Sequence, residues 1–277
     1  MKISIVTISF NAKDTIEKTI LSVINQTAFD SIEYIIIDGD STDGTKEIIE
    51  MYKDKISIYI SELDSGIYNA MNKGLKAGTG DYIHFLNAND TYMDNNVIEK
   101  VLEVAQIYNT DFVIGDVVLL PEQGGEVYRS SKNLNRLTLF IDWIYHVTLF
   151  QKRELFEKYG CFDESFKISS DANWFIPLLQ NRKITKAYVK APIAKFALDG
   201  VSAREDTREA TIAELEKVLS KHFVGIDNFY RRILQDSAFN KFSSKPIKKL
   251  NKLIKKLKLK KVISRILLKN KELQINY

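Results

Sequence analysis

Four short polar segments of this 277-residue chain carry side chains suited to binding chemistry: Ser9-Phe10-Asn11, Asp38-Gly39-Asp40-Ser41-Thr42-Asp43-Gly44, Glu62-Leu63-Asp64-Ser65-Gly66 and Asn87-Ala88-Asn89-Asp90. Carboxylates with hydroxyl and amide neighbours suit hydrogen bonds to a base or ribose. They also suit a hard divalent cation, which in turn would hold phosphates. No Gly-x-Gly-x-x-Gly run and no Walker lysine motif is present, which argues against a dinucleotide or P-loop site. Taken singly, an Asp in a Gly-rich loop is more often a turn former or a cap, and Asp43 reads as a cap for the helix after it. Convergence of four such loops is what points to a ligand.

The elements before these loops explain why they should converge. Ile3–Ile8, Glu33–Asp38, Ile56–Ile60 and Tyr82–Leu86 are short apolar runs. Between them lie helical patterns near 16–24, 45–52 and 67–76, the first with Asn11 and Asp14 placed where a cap would stand. Continuous β-branched runs alternating with helices predict parallel strands covered on both faces. Ligands of such sheets sit at the carboxyl ends of the strands, where all four loops fall. Further on, Phe112–Leu120, Thr148–Gln151 and Ile193–Leu198 read as strands, 171–179 and 206–219 as helices, and Gly124-Gly125 as a hairpin turn.

Composition is that of a globular protein, with 45% hydrophobic and 27% charged residues. The one cysteine, Cys161, excludes a disulfide framework and is expected to pack as a small hydrophobe in a reducing compartment. The apolar run after Met1 is broken by Ser4, Thr7, Ser9 and Asn11, so a secretory signal is not expected, and no stretch reaches transmembrane length. A cytoplasmic protein is expected.

The net charge of +4 is uneven. Residues 245–277 hold twelve Lys or Arg against one acid, Glu272, which leaves the first 244 residues at −7. Within 245–271, Ile247, Leu250, Ile254 and Leu257 recur at helical spacing among lysines. A basic amphipathic helix of this kind suits an anionic membrane surface. Docking on the acidic body is the alternative reading. Without interleaved aromatics or a binding motif, nucleic acid is not expected as a partner. The organisation expected is a main domain over 1–244, made of a nucleotide-binding half (1–110) and an acceptor half (111–244), followed by a tail over 245–277.

VTISFN, IIIDGDSTDGT, SELDSGIYNAMNKG, GDYIHFLNAND and GCFDESFKISSDANWF occur in this order over residues 1 to 205. The set resembles family 2 glycosyltransferases of the GT-A fold, particularly bacterial members that build cell-surface polysaccharides. The resemblance implies an α/β, Rossmann-like and mostly parallel sheet, a nucleotide-sugar donor with uridine as base, Mn²⁺ or Mg²⁺, and inversion at the anomeric carbon. By position it implies that Thr7, Ser9, Asn11 and Asp38 line the nucleoside pocket, with Asp38 facing the base, and that Asp64 binds near ribose or base. Asn87, Ala88 and Asn89 overlie the family's D-x-D element. Asn89 stands at the usual metal aspartate and Asp90 follows it, so Asp90 becomes the principal metal ligand with Asn89 beside it. Asp171 matches the catalytic base, its other reading being a helix N-cap. His146 is a candidate for an acceptor or diphosphate contact, although Val147 departs from the family's usual residue after the histidine, and Arg204 suits a pyrophosphate clamp because arginine pairs with phosphate in bidentate fashion. Gln180-Asn181-Arg182-Lys183 fails the Gln-x-x-Arg-Trp pattern of processive synthases, so one sugar per encounter is expected. The acceptor implied is a saccharide on a polyprenyl diphosphate, at the inner face of the cell membrane. Asn87 and Asn89 keep a second reading open, an inactive nucleotide-binding relative that serves as an assembly partner. A nucleotidyltransferase lacks the Gly-rich basic loop it would need for a triphosphate.

Overall fold

The computed structural model describes residues 1–121, 124–132, 134, 138–139, 144–198, 200 and 207–223. Arg204, the 243–246 boundary and the basic tail lie outside the described residues. Four parallel strands come first: β1 (Ile3–Ser9), β2 (Ile32–Asp38), β3 (Ile58–Ser61) and β4 (Tyr82–Phe85). Helices α1 (Ile16–Ile24), α2 (Thr45–Met51) and α3 (Ile67–Ala77) connect them. After the two-residue β5 (Thr91–Tyr92) come α4 (Val97–Tyr108), β6 (Phe112–Leu120), β7 (Val127–Arg129) and β8 (Leu149–Lys152). The chain continues through α5 (Glu154–Tyr159), α6 (Ser170–Gln180), β9 (Lys186–Ala197) and α7 (Arg208–His222).

The nine strands among the described residues form one sheet in the order β3-β2-β1-β4-β8-β6-β9-β5, with β7 on the side of β6. β8 runs antiparallel to both β4 and β6, and β9 runs parallel to β6. The expected nucleotide and acceptor halves therefore share one sheet. Every residue of β1 and β2 is buried, as strands covered on both faces must be. Val6, Ile8, Ile35 and Ile37 pack with α3, α5, α6 and α7 on one face. Ile3, Ile5, Tyr34 and Ile36 pack with α1, α2 and α4 on the other. Gly74 lets α3 lie against β1, since a Cβ there would come 2.3 Å from Val6 Cγ1.

Several expectations need correcting. The last strand begins at Lys186 rather than Ile193, because pairing with β6 runs along its length; Lys186 and Lys190 break the apolar run on which the expectation rested. Helices α4 and α5 were not anticipated, although Val97, Val101 and Ala105 lie at helical spacing on the buried side of α4. Asn11 and Asp14 do not cap α1, whose N-cap is Thr15. Asn11 instead has φ 47° and accepts the Thr42 N–H at 3.0 Å. Cys161 is exposed, because Gly160 ends α5 with φ 84° and it is the next residue, Phe162, that turns into the core.

Candidate active site

The loops after β1, β2 and β3 are fastened together by Asp38. This carboxylate, fully buried at the end of β2, accepts at Oδ1 from Ser9 Oγ (3.0 Å) and Ser41 Oγ (2.6 Å). At Oδ2 it accepts from the Ser41 N–H (2.9 Å) and Ser61 Oγ (2.9 Å). A buried charge survives when it is fully hydrogen-bonded, and here the donors come from the ends of three neighbouring strands. Asn11 extends the network by donating its N–H to Ser41 Oγ at 2.8 Å. Asp43 accepts the Thr45 N–H at the start of α2 and the Lys13 N–H as well, but the N-cap position is Gly44, one residue beyond the cap expected at Asp43.

Thr7 lies one layer below. It is fully buried, donates to the Leu86 carbonyl at 2.8 Å, and lies 3.3 Å from the Tyr34 hydroxyl, so it braces β1 against the end of β4 instead of lining the surface. The surface above is made by Phe10, 65% exposed, and by Asp64, which cover the buried Gly39. A Cβ on Gly39 would lie 2.6 Å from Asp64 Oδ2 and 3.2 Å from Phe10 Cδ2, so the three are in direct apposition. Asp64 also accepts the Gly66 N–H at 2.9 Å, which closes its own turn. An exposed aromatic after a polar strand end was the available signal for Phe10, which the sequence reading left as part of its loop.

A second group lies along the same edge. Ala88 donates its N–H to the Ile8 carbonyl at 3.0 Å, which carries the β4 loop over the end of β1. Asn89 turns the chain with φ 88° and donates its N–H to Thr19 Oγ1 on α1, whose hydroxyl in turn donates to the Asp90 carbonyl. The turn places Asp90, 4% exposed, with Oδ2 3.9 Å from His146 Nε2 and Oδ1 accepting the Ala197 N–H of β9. Asn87 Nδ2 lies 3.2 Å from the same His146 Nε2, and its Oδ1 is a buried oxygen without a hydrogen-bond partner. On the other side of the ring, His146 Nδ1 is 3.7 Å from Asp171 Oδ2.

Asp171 lies in the first turn of α6, behind the N-cap Ser169, so it is not itself the cap. Its Oδ1 accepts from the Ala172 N–H (2.8 Å) and from the Tyr68 hydroxyl (3.0 Å). Tyr68, on α3, also donates to the Ile168 carbonyl and so fixes the approach to α6. Burial pushes the Asp171 carboxyl up to about 6, the two donors to Oδ1 opposing the rise. Burial also lowers His146 to about 4, so at neutral pH a neutral imidazole stands between two carboxylates. The structure thus brings Asn87, Asp90, His146 and Asp171 together. Tyr68 is the member that sequence reading missed, since its partner lies 103 residues away.

A divalent cation fits these residues sparingly. Asp90 offers a carboxylate, and the unpartnered Asn87 Oδ1 is an amide oxygen of the type hard cations accept. No group of three His, Cys, Asp or Glu able to hold a metal occurs among the described residues.

The family model described as glycosyl transferase family 2 matches residues 4–170. The chain is 26% identical over 197 residues to a PGL/p-HBAD biosynthesis glycosyltransferase of Mycobacterium bovis, 70% of this chain and 75% of the relative. It is 34% identical over 125 residues to the putative teichuronic acid biosynthesis glycosyltransferase TuaG of Bacillus subtilis, 44% of this chain and 49% of TuaG. Among solved structures it is similar to S. aureus TarS 1–349 in complex with UDP-GlcNAc (TM-score 0.63, 17% identity, 87% of this chain and 77% of that one). It spans 44% of the longer TarS chain. It is also similar to the mannosyltransferase PcManGT of Pyrobaculum calidifontis with GDP-Man and Mn²⁺ (TM-score 0.57, 17% identity, 80% of this chain and 64% of that one).

Proposed function

The chain belongs to glycosyl transferase family 2 and has the GT-A fold, and on that premise we propose that it moves one sugar per encounter from a UDP-sugar to a saccharide on a polyprenyl diphosphate. The transfer inverts the anomeric carbon, depends on Mn²⁺ or Mg²⁺, and serves the synthesis of a bacterial surface polysaccharide. The observation that carries this reading is the row Asp90–His146–Asp171 at the carboxyl edge of the sheet, with a cation-binding carboxylate at one end and a base at the other.

Asp171 suits the base because its Oδ1 is anchored by Tyr68 and Ala172 while Oδ2 faces the site. A carboxyl held at about 6 is ionised at neutral pH yet basic enough to take a proton in the transition state, an effect worth roughly 10²–10⁴-fold. The acceptor oxygen forms its bond to the anomeric carbon as the bond to the diphosphate oxygen breaks, and the hydroxyl proton goes to Asp171 Oδ2. The cation, when bound, neutralises charge on the departing diphosphate. Asp90 and Asn87 would hold it, with Asn89 shaping the turn. Phe10 and Asp64 form the nucleoside surface over Gly39, while Ser9, Asn11 and Asp38 keep it in shape from below. Arg204 remains a candidate diphosphate contact.

The name of TuaG supports the surface-polymer assignment, and the TarS and PcManGT complexes support a nucleotide-sugar donor. No helix among the described residues is long and apolar enough to cross a membrane. The lysine pattern of residues 245–271 supports peripheral binding to the anionic inner face of the cell membrane.

Calorimetric titration of UDP, with Mn²⁺ and again with EDTA, followed by turnover of UDP-sugars, tests the proposal. Binding that requires metal, together with transfer, is the expected result. Failure of UDP, GDP, dTDP and CMP alike would favour the inactive assembly partner, the reading to which the neutral Asn87 and Asn89 lend support.

A further inference from the structure

Immediately before Asp171, three successive backbone N–H groups converge on one carboxylate. Glu214 of α7 accepts the Lys167 N–H at Oε1 (2.7 Å) and the Ile168 and Ser169 N–H groups at Oε2 (2.8 and 2.9 Å). Consecutive amides pointing into one concavity form an anion nest, here filled by the chain itself. The carboxylate lies beside the N-terminus of α6, where negative charge is favoured, and takes up donors that the helix start would leave unmade. The far end of α7 reaches the same helix, since Lys221 Nζ and His222 Nε2 each lie 3.0 Å from Asn173 Oδ1. Leu219 and Phe223 of this segment are buried with α6 in one core.

We propose that Glu214 is a positioning residue for the transfer reaction: by clamping the 167–169 amides it fixes the turn that presents Asp171 and sets a negative charge beside that turn. The proposal rests on the reading of Asp171 as the base. The groups facing Asp171 are the Tyr68 hydroxyl from α3, the His146 imidazole from the segment before β8, the Ala172 N–H of its own helix, and Glu214 across the turn. Of these, Glu214 is the acid, and its charge adds to burial in raising Asp171. α7 begins 37 residues beyond Asp171 and after the matched family region, so no local pattern in the sequence connects the two.

Glu214→Gln, which keeps the shape and one acceptor oxygen, and Glu214→Asp, which keeps the charge, test this in the full chain. The carboxyl of Asp171 is followed by ¹³C NMR titration, its resonance assigned by loss in Asp171→Asn. UDP release from UDP-N-acetylglucosamine with Mn²⁺ is measured beside it. In Glu214→Gln the Asp171 midpoint should move to lower pH, and kcat should fall roughly 10- to 100-fold, the scale of a misplaced catalytic group, with UDP affinity unchanged. Glu214→Asp should restore the midpoint toward that of the parent. An Asp171 midpoint that stays in place in Glu214→Gln overturns the proposal, whatever happens to thermal stability, because a purely structural contact would alter stability alone. Normal turnover by Asp171→Asn would instead remove the base assignment, and with it the role of Glu214. An inactive Asp171→Asn beside an unmoved midpoint overturns Glu214 only.

Discussion

His146 Nδ1 stands 3.7 Å from Asp171 Oδ2, just beyond hydrogen-bond distance, with the imidazole lowered to about 4 and the carboxyl raised to about 6, each by burial. An amide nitrogen can only donate, so Asn87 Nδ2 gives its hydrogen to Nε2 and the neutral ring keeps its proton on Nδ1, facing Asp171. The histidine therefore separates the carboxylate suited to a cation from the one suited to a proton without adding a charge of its own.

The pH profile follows from that pairing. Activity needs ionised Asp171, so kcat/KM should decline tenfold per pH unit below about 6 and level off above it. His146, at about 4, does not titrate in that window. A profile flat from pH 5 to 8 would remove Asp171 as base.

Stability should move the other way. The folded pKa of Asp171 lies above its ordinary 3.8, so its stabilising contribution is complete below about pH 4 and is lost as pH rises through about 6. Above that the ionised group is a cost of roughly 1–3 kcal/mol. Asp171→Asn should thus abolish transfer, leave donor affinity within a few-fold, and raise Tm at pH 8 but not at pH 4. Equal Tm differences at both pH values would count against a carboxylate desolvated in the folded state.

Asp90 and Asn87 should differ in their weight toward a cation. Asp90→Asn is expected to weaken Mn²⁺ binding in the presence of UDP by at least about tenfold, since it removes the charged oxygen. Asn87→Ala should cost less, because a neutral amide binds more weakly. Mn²⁺ titration by electron paramagnetic resonance checks both, and an unchanged Asp90→Asn would place the metal elsewhere.

Gly39→Ala probes the nucleoside surface. The added methyl would meet Asp64 Oδ2 at 2.6 Å, and the carboxylate must swing aside with Phe10 close behind. UDP affinity should fall while Tm stays within a degree or two, since the displaced groups are on the surface. Calorimetry that finds parental affinity would show that Asp64 and Phe10 do not form the pocket.

Removal of residues 245–277 should leave donor hydrolysis intact and reduce pelleting with anionic vesicles. Equal pelleting of the full and shortened chains would contradict a membrane role for the tail.

Much of the strand–helix alternation was legible because it depends on short-range pattern. Ile3–Ser9 and Ile32–Asp38 are buried on both faces, so their sequences are mostly apolar, with Ser4, Thr7 and Glu33 as buried exceptions, and polar residues mark where each strand ends. The same logic located the four loops at one edge. It failed at Lys186–Ala197, where the strand is decided by pairing with Phe112–Leu120 and not by its own apolar pattern. Nor did it show that the oxygens of Thr7 and Asp38, residues whose types suit a ligand, are engaged in hydrogen bonds inside the protein.

The sequence alone thus determined the kind of sheet, the edge where its polar loops gather and the family, since periodicity and ordered motifs are local properties of the chain. Tertiary structure decided which polar groups face one another. His146 meets Asp90 and Asp171, Tyr68 holds Asp171, and Glu214 holds the turn before it, across separations of 45 to 103 residues for the hydrogen-bonded pairs. Proton affinity and cation binding depend on burial and distance, and those exist only once the sheet has brought the loop ends and the α6 N-terminus to a common edge.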